Sequence, residues 1–168
     1  MTGQVIGQVM TNGYAGSYSR QPDMVVDTAP AEGVIVFGQG VVYGEGAGVV
    51  LPSDSSTAEQ FVGIALREVK SATDFLNQNA GQYNVGDAVP VIKRGCVNVL
   101  CQNGSPARGG AVYLRVKLNS GSYPNAVVGG FEAAADSTNS VQLTNVEWAG
   151  PADANGIAEL RILTILNA

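Results

Sequence analysis

Residues 33–48 read GVIVFGQGVVYGEGAG and decide the fold, because they fit either a strand that enters a phosphate-binding loop or the corner of a β-sheet. A dinucleotide-binding loop needs glycines in the pattern Gly-x-Gly-x-x-Gly at the start of a helix. Here Gly38 and Gly40 are followed by Gly44, which comes one position late, and residues 41–43 are typical of a strand. We therefore interpret the stretch as two strands joined by a tight Gly-Gln-Gly turn.

The rest of the chain repeats this pattern of short apolar runs. The runs are rich in valine and isoleucine and are bounded by Gly, Asn, Asp and Pro, and the closest approach to a helix is the short stretch 71–77. The predicted strands cover residues 34–37, 41–43, 61–66, 88–92, 96–100, 111–117, 126–131, 141–148 and 157–166. Strands at this spacing, without crossover helices, predict an all-β protein built as a sandwich or a barrel. Pro90 suits an edge strand or a bulge.

The beginning of the chain differs from the rest. Residues 1–32 are rich in Gly, Gln, Ser, Thr and Pro and show no sustained period. A floppy terminus is one interpretation. Disordered segments seldom carry aromatic and aliphatic residues at this density, so the alternative is an extended arm that becomes ordered on a partner such as a sister subunit. We divide the chain into an N-terminal arm, residues 1–24, and a β-sandwich body, residues 25–168.

The composition excludes several classes of partner. Charged residues make up 14% of the chain, against about 25% in an average soluble protein. The net charge of -5 comes from 14 acidic and 9 basic residues spread singly, so no basic stripe can follow a nucleic-acid backbone. No uncharged apolar run approaches the roughly 18 residues of a membrane span, and the N-terminus does not have the regions of a signal peptide. We expect a soluble protein, made in the cytosol, that binds neither nucleic acid nor membrane.

The sequence also lacks histidine and any recognisable spacing of catalytic residues. The chain contains no histidine, so the commonest general base and the commonest metal ligand are both absent. The aspartates have neither the spacing of a calcium loop nor that of a paired-carboxylate hydrolase, and we interpret them as solvated or turn-forming residues. They are Asp23, Asp27, Asp87, Asp136 and Asp153. We predict no catalytic residue, no cofactor, no metal ligand and no enzymatic activity.

Aromatic side chains leave one alternative function open. Trp148, Tyr83, Tyr113 and Tyr123 could form a platform for a sugar ring, as in a carbohydrate-binding or adhesin-type β-sandwich module. Single aromatic residues scattered over several strands are more typical of a core or an interface. The sugar-binding interpretation requires these rings to be exposed and coplanar on one face.

Five blocks of sequence, in a fixed order over nearly the whole chain, carry a resemblance to a known family. They are YSRQPDMVVDTAPAEGVIVF (18–37), FVGIAL (61–66), YNVGDAVPVIKRGCVNV (83–99), GGAVYLRV (109–116) and GIAELRILTIL (156–166). In this order the blocks resemble the structural cement proteins that decorate the heads of tailed bacteriophages. The later blocks are also similar to other phage head decoration proteins.

The resemblance implies a β-sandwich or jelly-roll-like body with an extended N-terminal arm. It further implies a homotrimer on the outer surface of the capsid in the virion, where it would bridge neighbouring major capsid subunits and resist the pressure of packaged DNA. Nine arm residues are the implied contacts with the capsid or with a sister subunit. By position, those along the arm are Val5, Ile6, Val9, Met10 and Tyr14, and those where the arm meets the body are Tyr18, Arg20, Pro22 and Asp23.

Overall fold

The computed structural model describes residues 11–68 and 80–166. Within these ranges the chain forms eleven strands and one three-residue 3-10 helix, Ala58–Gln60, so the all-β prediction is confirmed. The strands are β1 (Tyr18–Pro30), β2 (Ile35–Val36), β3 (Gly40–Tyr43), β4 (Val49–Val50), β5 (Phe61–Ala65), β6 (Gln82–Tyr83), β7 (Ala88–Leu100), β8 (Ala111–Arg115), β9 (Phe131–Glu132), β10 (Ser140–Trp148) and β11 (Ile157–Ile162). The helix-like stretch 71–77 lies outside the described residues.

A single curled antiparallel sheet contains nine of these strands. Its order is β4-β3-β5-β7-β11-β10-β8-β9, with β1 added on β7, while β2 and β6 form a separate pair. A parallel bridge between Cys101, which follows β7, and Phe131 of β9 brings the last strand of this order back to β7. In sheet order, the strands β7, β11, β10, β8 and β9 therefore curl into a closed arrangement around a core.

The long strand β7 organises the sheet because it pairs with β1, β5 and β11. Its sequence AVPVIKRGCVNVL is buried almost throughout, as expected for a strand covered on both faces. The two predicted strands 88–92 and 96–100 are thus one strand. The prediction that Pro90 lies at an edge or a bulge is wrong, since it lies opposite Thr28 of β1 while its carbonyl accepts the Leu66 N–H at 2.9 Å.

Strand β1 was not among the predicted strands, although it is 13 residues long. Most of its side chains are half-buried or exposed, and only Tyr18, Met24 and Val26 pack on the main core. The ladder with β7 supplies its backbone hydrogen bonds. The division of the chain into arm and body at residue 24 stays a prediction.

Two apolar clusters fill the interior. The main cluster lies among β5 and β7 to β11 and includes Phe61, Leu114, Phe131, Trp148 and Leu160. The second cluster lies against the other end of β7 and includes Ile35, Val41, Tyr83, Val89 and Val91. Burying one such aliphatic or aromatic side chain contributes roughly 1.5–3 kcal/mol.

Candidate functional site

The glycine-rich stretch forms the predicted corner of the sheet. Gly38 has a φ of 81° in the turn between β2 and β3. Further along, the N–H groups of Gly46 and Gly48 donate to Oε1 of Glu32 at 3.1 and 2.9 Å. Amides that could hold a phosphate in a nucleotide-binding loop therefore hold a carboxylate of the same chain.

The Gly38 turn also receives the N-terminal segment. We call residues 12–17 the arm root. Gly16 in the arm root has a φ of 80°, and a Cβ atom on it would lie 2.9 Å from the backbone nitrogens of both Gly38 and Arg67. Conversely, a Cβ atom on Gly38 would lie 2.8 Å from the Ala15 Cβ. The arm root and the corner thus touch backbone to backbone, which leaves no space for a side chain at either glycine.

Backbone hydrogen bonds fasten the arm root to β7 and to the segment that follows β5. Gly16 N–H donates to the Asn98 carbonyl at 2.7 Å, and Asn98 N–H donates to the Ser17 carbonyl at 2.9 Å. The Arg67 N–H donates to the Gly16 carbonyl at 2.8 Å. The pairing of β1 with β7 therefore continues into the arm root.

Side chains fasten the other end of the arm root. The Asn98 Nδ2 group donates to the Asn12 carbonyl and, at 3.1 Å, to the Ser17 Oγ. Asn12 donates from its backbone N–H to Asp153 Oδ2 at 2.8 Å and from Nδ2 to the Ile157 carbonyl at 2.7 Å. The Asn12 N–H is the main cause that lowers the pKa of Asp153. This carboxylate is therefore stabilised in its charged form.

Two tyrosines, Tyr14 within the arm root and Tyr18 directly after it, add side-chain contacts. Tyr14 is 67% exposed, and the Arg67 guanidinium lies 4.6 Å from its ring centroid and 5.8 Å from that of Phe37. Such a stack of a cation on an exposed ring contributes about 0.5–1 kcal/mol. The Tyr18 hydroxyl donates to the Glu68 carboxylate, and partial burial together with that carboxylate raises the pKa of Tyr18.

A large bulge in β1 lies at the other three predicted contact residues, which are Arg20, Pro22 and Asp23. Arg20 pairs with Cys96 and Val25 with Arg94, so the four residues 21–24 face Gly95 alone. Gly95 has a φ of 124°, and a Cβ atom on it would lie 2.8 Å from the Asp23 carbonyl oxygen. The bulge therefore depends on a glycine at this position.

Ion pairs join the bulge to its neighbours. Arg20 Nε donates to Glu159 Oε1 at 2.6 Å, and Asp23 Oδ1 lies 2.5 Å from Arg94 Nη2. Burial is the largest single influence on Glu159 and opposes its charge, but the hydrogen bonds from Arg20 and Ser19 and the charge of Arg20 together lower the pKa of Glu159. Beside the bulge is a surface cleft of about 340 Å³, lined by residues 20–23 together with Gly95, Cys96, Arg161, Ile162 and Leu163.

The described contact residues thus follow one line along β1 from the arm root to the bulge. These are Tyr14, Tyr18, Arg20, Pro22 and Asp23, whereas Val5, Ile6, Val9 and Met10 lie outside the described residues. The prediction did not include Asn98, Arg67 or Asp153. A polar Asn98 within the apolar run CVNVL was the one signal in the sequence that pointed to it.

One buried group of charges lies away from this line. Arg115 Nη2 lies 2.5 Å from Glu132 Oε1 and 3.0 Å from Asp136 Oδ2. Burial raises the pKa of Glu132, whereas hydrogen bonds from Asn119 lower the pKa of Asp136. The Arg115 and Glu132 side chains are 0% exposed and the Asp136 side chain is 10% exposed, so these charges face the interior rather than solvent. The group instead ties together the loops on either side of β9.

The four aromatic residues of the alternative function do not form a common exposed face. Trp148 is 0% exposed and Tyr83 is 1% exposed. The Tyr83 hydroxyl donates to the Leu66 carbonyl at 2.7 Å. Two of the four rings therefore belong to the interior and cannot stack on a sugar.

Two further features were sought in the described ranges, a cluster of metal-ligating side chains and a helix able to span a bilayer. Over residues 11–68 and 80–166, no three or more Cys, Asp or Glu side chains come together as metal ligands could. In the same part of the chain, no helix has the length and apolar character to cross a bilayer.

Comparison with known proteins found similarity among solved structures but not among curated sequences. A search of curated protein sequences found no match. Among solved structures, a chain from "The capsid of Myoviridae Phage XM1" superposes with a TM-score of 0.71 at 18% identity, over 98% of this chain and 99% of that one. The head fibre gp8.5 N base of bacteriophage phi29 gives a TM-score of 0.42 at 13% identity, over 86% of this chain and 99% of that one.

The family comparison covers nearly the entire sequence. Residues 2–163 match the model described as Structural cement protein (E217 gp24/Pam3 gp6). The family expected from the five sequence blocks is thereby confirmed. The chain belongs to the structural cement protein family and is a capsid-associated structural protein of a bacteriophage virion.

Proposed function

We propose that this protein binds the outer surface of the phage head as a homotrimer and stabilises the shell by bridging neighbouring major capsid subunits. The family match over residues 2–163 is the observation that carries the proposal. We further propose a non-catalytic role in which the nine arm residues named above, together with the β1 bulge, contact the capsid or a sister subunit.

The edge of β1 supports this role. Among the described residues, β1 pairs only with β7 and leaves its other edge open. Open edges accept an added strand from a partner, but charged side chains and bulges restrict which strands can approach. The exposed side chains of Arg20, Asp23 and Asp27 and the bulge at residues 21–24 have this restricting effect on β1. A specific partner strand or loop is therefore favoured over indiscriminate sheet extension.

The stabilising mechanism would be mass action. A protein that binds the expanded shell but not its disrupted subunits lowers the free energy of the shell by its binding free energy at each site. The same gain repeats over the many equivalent sites of a capsid. A rather weak contact at each site is therefore sufficient for a large total effect.

Binding to isolated heads tests the proposal. Expanded heads lacking this protein should bind the wild-type chain in a saturable way and co-sediment with it. A variant without residues 1–17 removes the arm root but keeps β1, and we expect it to fold with little binding. Saturable binding that is equal for both proteins would contradict the role of the arm, and no binding of the wild-type chain would contradict the function.

The homotrimer has its own test. Sedimentation equilibrium should give three times the chain mass of 17.3 kDa for the protein at micromolar concentration. A mass of one or two chains, both in solution and on the head, would refute the trimer while leaving capsid binding open.

A further inference from the structure

We propose that the arm root is locked onto the body before any partner binds, and that Asn98 is the positioning residue that sets the direction of the arm. The inference rests on the proposed function, because the arm acts there only by reaching a neighbouring subunit. The docked arm root would then explain why the chain leaves the body in one direction.

Asn98 contacts both ends of the arm root. Its backbone N–H and carbonyl pair with Ser17 and Gly16, and its side-chain amide donates to the Asn12 carbonyl and the Ser17 hydroxyl. Asn98 is 4% exposed and lies in the interior strand β7. A buried amide is costly unless it is hydrogen-bonded, and the two acceptors that this amide contacts both lie in the arm root. Docking of the arm root therefore offsets the cost of burying Asn98.

A second attachment defines where the arm leaves. The Asn12 backbone N–H binds Asp153, and its side chain binds the Ile157 carbonyl at the start of β11. Gly16 is wedged between Arg67 and Gly38, 2.9 Å from the backbone nitrogen of each as measured from an ideal Cβ. The chain is thus held at residue 12 by Asp153 and the start of β11, and at residue 16 by the Gly38 turn and by Arg67, which follows β5. Attachment at both residues fixes the direction of the arm root on the body, whereas attachment at one residue would let the arm root rotate about it.

Locking the arm root has a measurable consequence for affinity. When only a fraction of the molecules holds the competent conformation, the apparent dissociation constant rises by the inverse of that fraction. A variant whose arm root is docked for a tenth of the time should therefore bind heads about tenfold more weakly. Its capsid contacts, once formed, would be the same as those of the wild type.

Amide hydrogen exchange on the free protein tests the lock without any capsid. In the wild type, the amides of Asn12, Gly16 and Arg67 should exchange at least about tenfold more slowly than in an unstructured peptide. Gly16→Ala should remove this protection at all three amides and leave that of the β10 and β11 ladders unchanged. Gly86→Ala is the matched control, because Gly86 has a φ of 86° but no atom within 4 Å of the added Cβ. Wild-type amides that exchange at the unstructured rate would overturn the inference.

The role of Asn98 is tested by side-chain variants. Asn98→Asp keeps the shape but replaces the donor with a carboxylate facing the Asn12 carbonyl, and Asn12→Ala removes only the bond to Ile157. Both should lose protection at the arm root and bind heads severalfold more weakly. Should Asn98→Asp fail to fold, Asn98→Leu replaces it, because an apolar side chain of similar size suits the buried run of β7 but cannot donate to the arm root. Wild-type protection of the Asn12 and Gly16 amides in a folded Asn98 variant would overturn the role of Asn98.

The two proposals fail in different ways. If wild-type protein does not bind heads, the proposed function falls, and the exchange data alone still decide whether the arm root is locked. If the wild type binds heads and the unlocked Gly16→Ala variant binds equally tightly, the inference falls while the proposed function stands.

Discussion

Gly16 and Gly38 show how single residues determine the junction between the N-terminal segment and the body. Both adopt positive φ angles, 80° and 81°, and each lies where a Cβ atom would meet the backbone of the other segment. The turn GQG is thus a contact surface for the arm root in addition to a connection between β2 and β3. Its glycines satisfy a steric requirement that sequence periodicity does not reveal.

Replacing Gly38 with alanine should therefore destabilise the protein by more than the backbone conformation alone requires. A non-glycine residue at positive φ costs about 1–2 kcal/mol, and the added Cβ would lie 2.8 Å from the Ala15 Cβ and the Gly16 nitrogen. We expect a loss of about 2–4 kcal/mol in urea unfolding. Gly109→Ala is the control, with a φ of 72° and open space around the Cβ. Equal losses for both variants would contradict the contact.

The buried charges around Arg115 predict a pH dependence. Asp136 faces Arg115, Glu132, Asn119 and Ser140, and its pKa is lowered, first by the Asn119 hydrogen bonds and then by Arg115. A lowered folded-state pKa stabilises the fold above the unfolded value of about 3.9, and this stabilisation is lost as the pH falls through the folded pKa.

Asp136→Asn should consequently flatten the acid limb of the stability curve. The measurement is the urea midpoint of wild type and variant between pH 6 and pH 2, taken at about half-unit steps. The difference between the two proteins should be largest at pH 6 and should shrink towards pH 2. A difference that stays constant over this range would show that Asp136 does not titrate with folding.

At the scale of elements, β7 could be predicted from the sequence and β1 could not. The apolar runs of β7 are visible in the sequence because burial on both faces demands apolar side chains. β1 was missed because its exposed side chains lack any period and its stability comes from pairing with β7, whose paired residues lie 58 (Pro30 with Ala88) to 79 (Tyr18 with Val97) positions later in the chain. The strand predicted at 126–131 is a loop up to β9, where Gly129 N–H bonds the Arg115 carbonyl at 2.8 Å.

The residues of the candidate site also include some that the sequence predicted and some that it did not. The family resemblance located Tyr18, Arg20, Pro22 and Asp23 as a group, and they do lie together on β1. Asn98 and Asp153 could not be assigned, because their partners in the arm root are distant in sequence and are met only through the folded sheet. Long-range polar contacts of this kind leave no periodic signal.

The β1 bulge makes a prediction about Gly95. A valine there would have to adopt a φ of 124° and would meet the Asp23 carbonyl and Met24. We expect Gly95→Val to lower stability by about 2–4 kcal/mol and to displace residues 21–24. The measurement combines urea unfolding with exchange of the Met24 and Val25 amides. Unchanged exchange at these amides would mean that the bulge does not depend on Gly95.

On the scale of the whole molecule, the composition and the fold are those expected of a protein that functions as part of a larger assembly. The chain has few charges, a curled sheet in which β1 pairs with β7 alone among the described strands, and an arm root bonded to Asn98 and Arg67. Such a surface gains free energy from buried area and strand pairing more than from ion pairs. The structural cement family to which the chain belongs is consistent with each of these features.

The thermal stability of expanded heads tests the central proposal most directly. Heads lacking this protein are heated alone, with saturating wild-type protein, and with the variant that lacks residues 1–17, and the release of DNA or capsid subunits is followed. The wild-type chain should raise the disruption temperature by several degrees, in proportion to occupancy, and the truncated chain should not. Heads that are disrupted at the same temperature with and without saturating wild-type protein would contradict it.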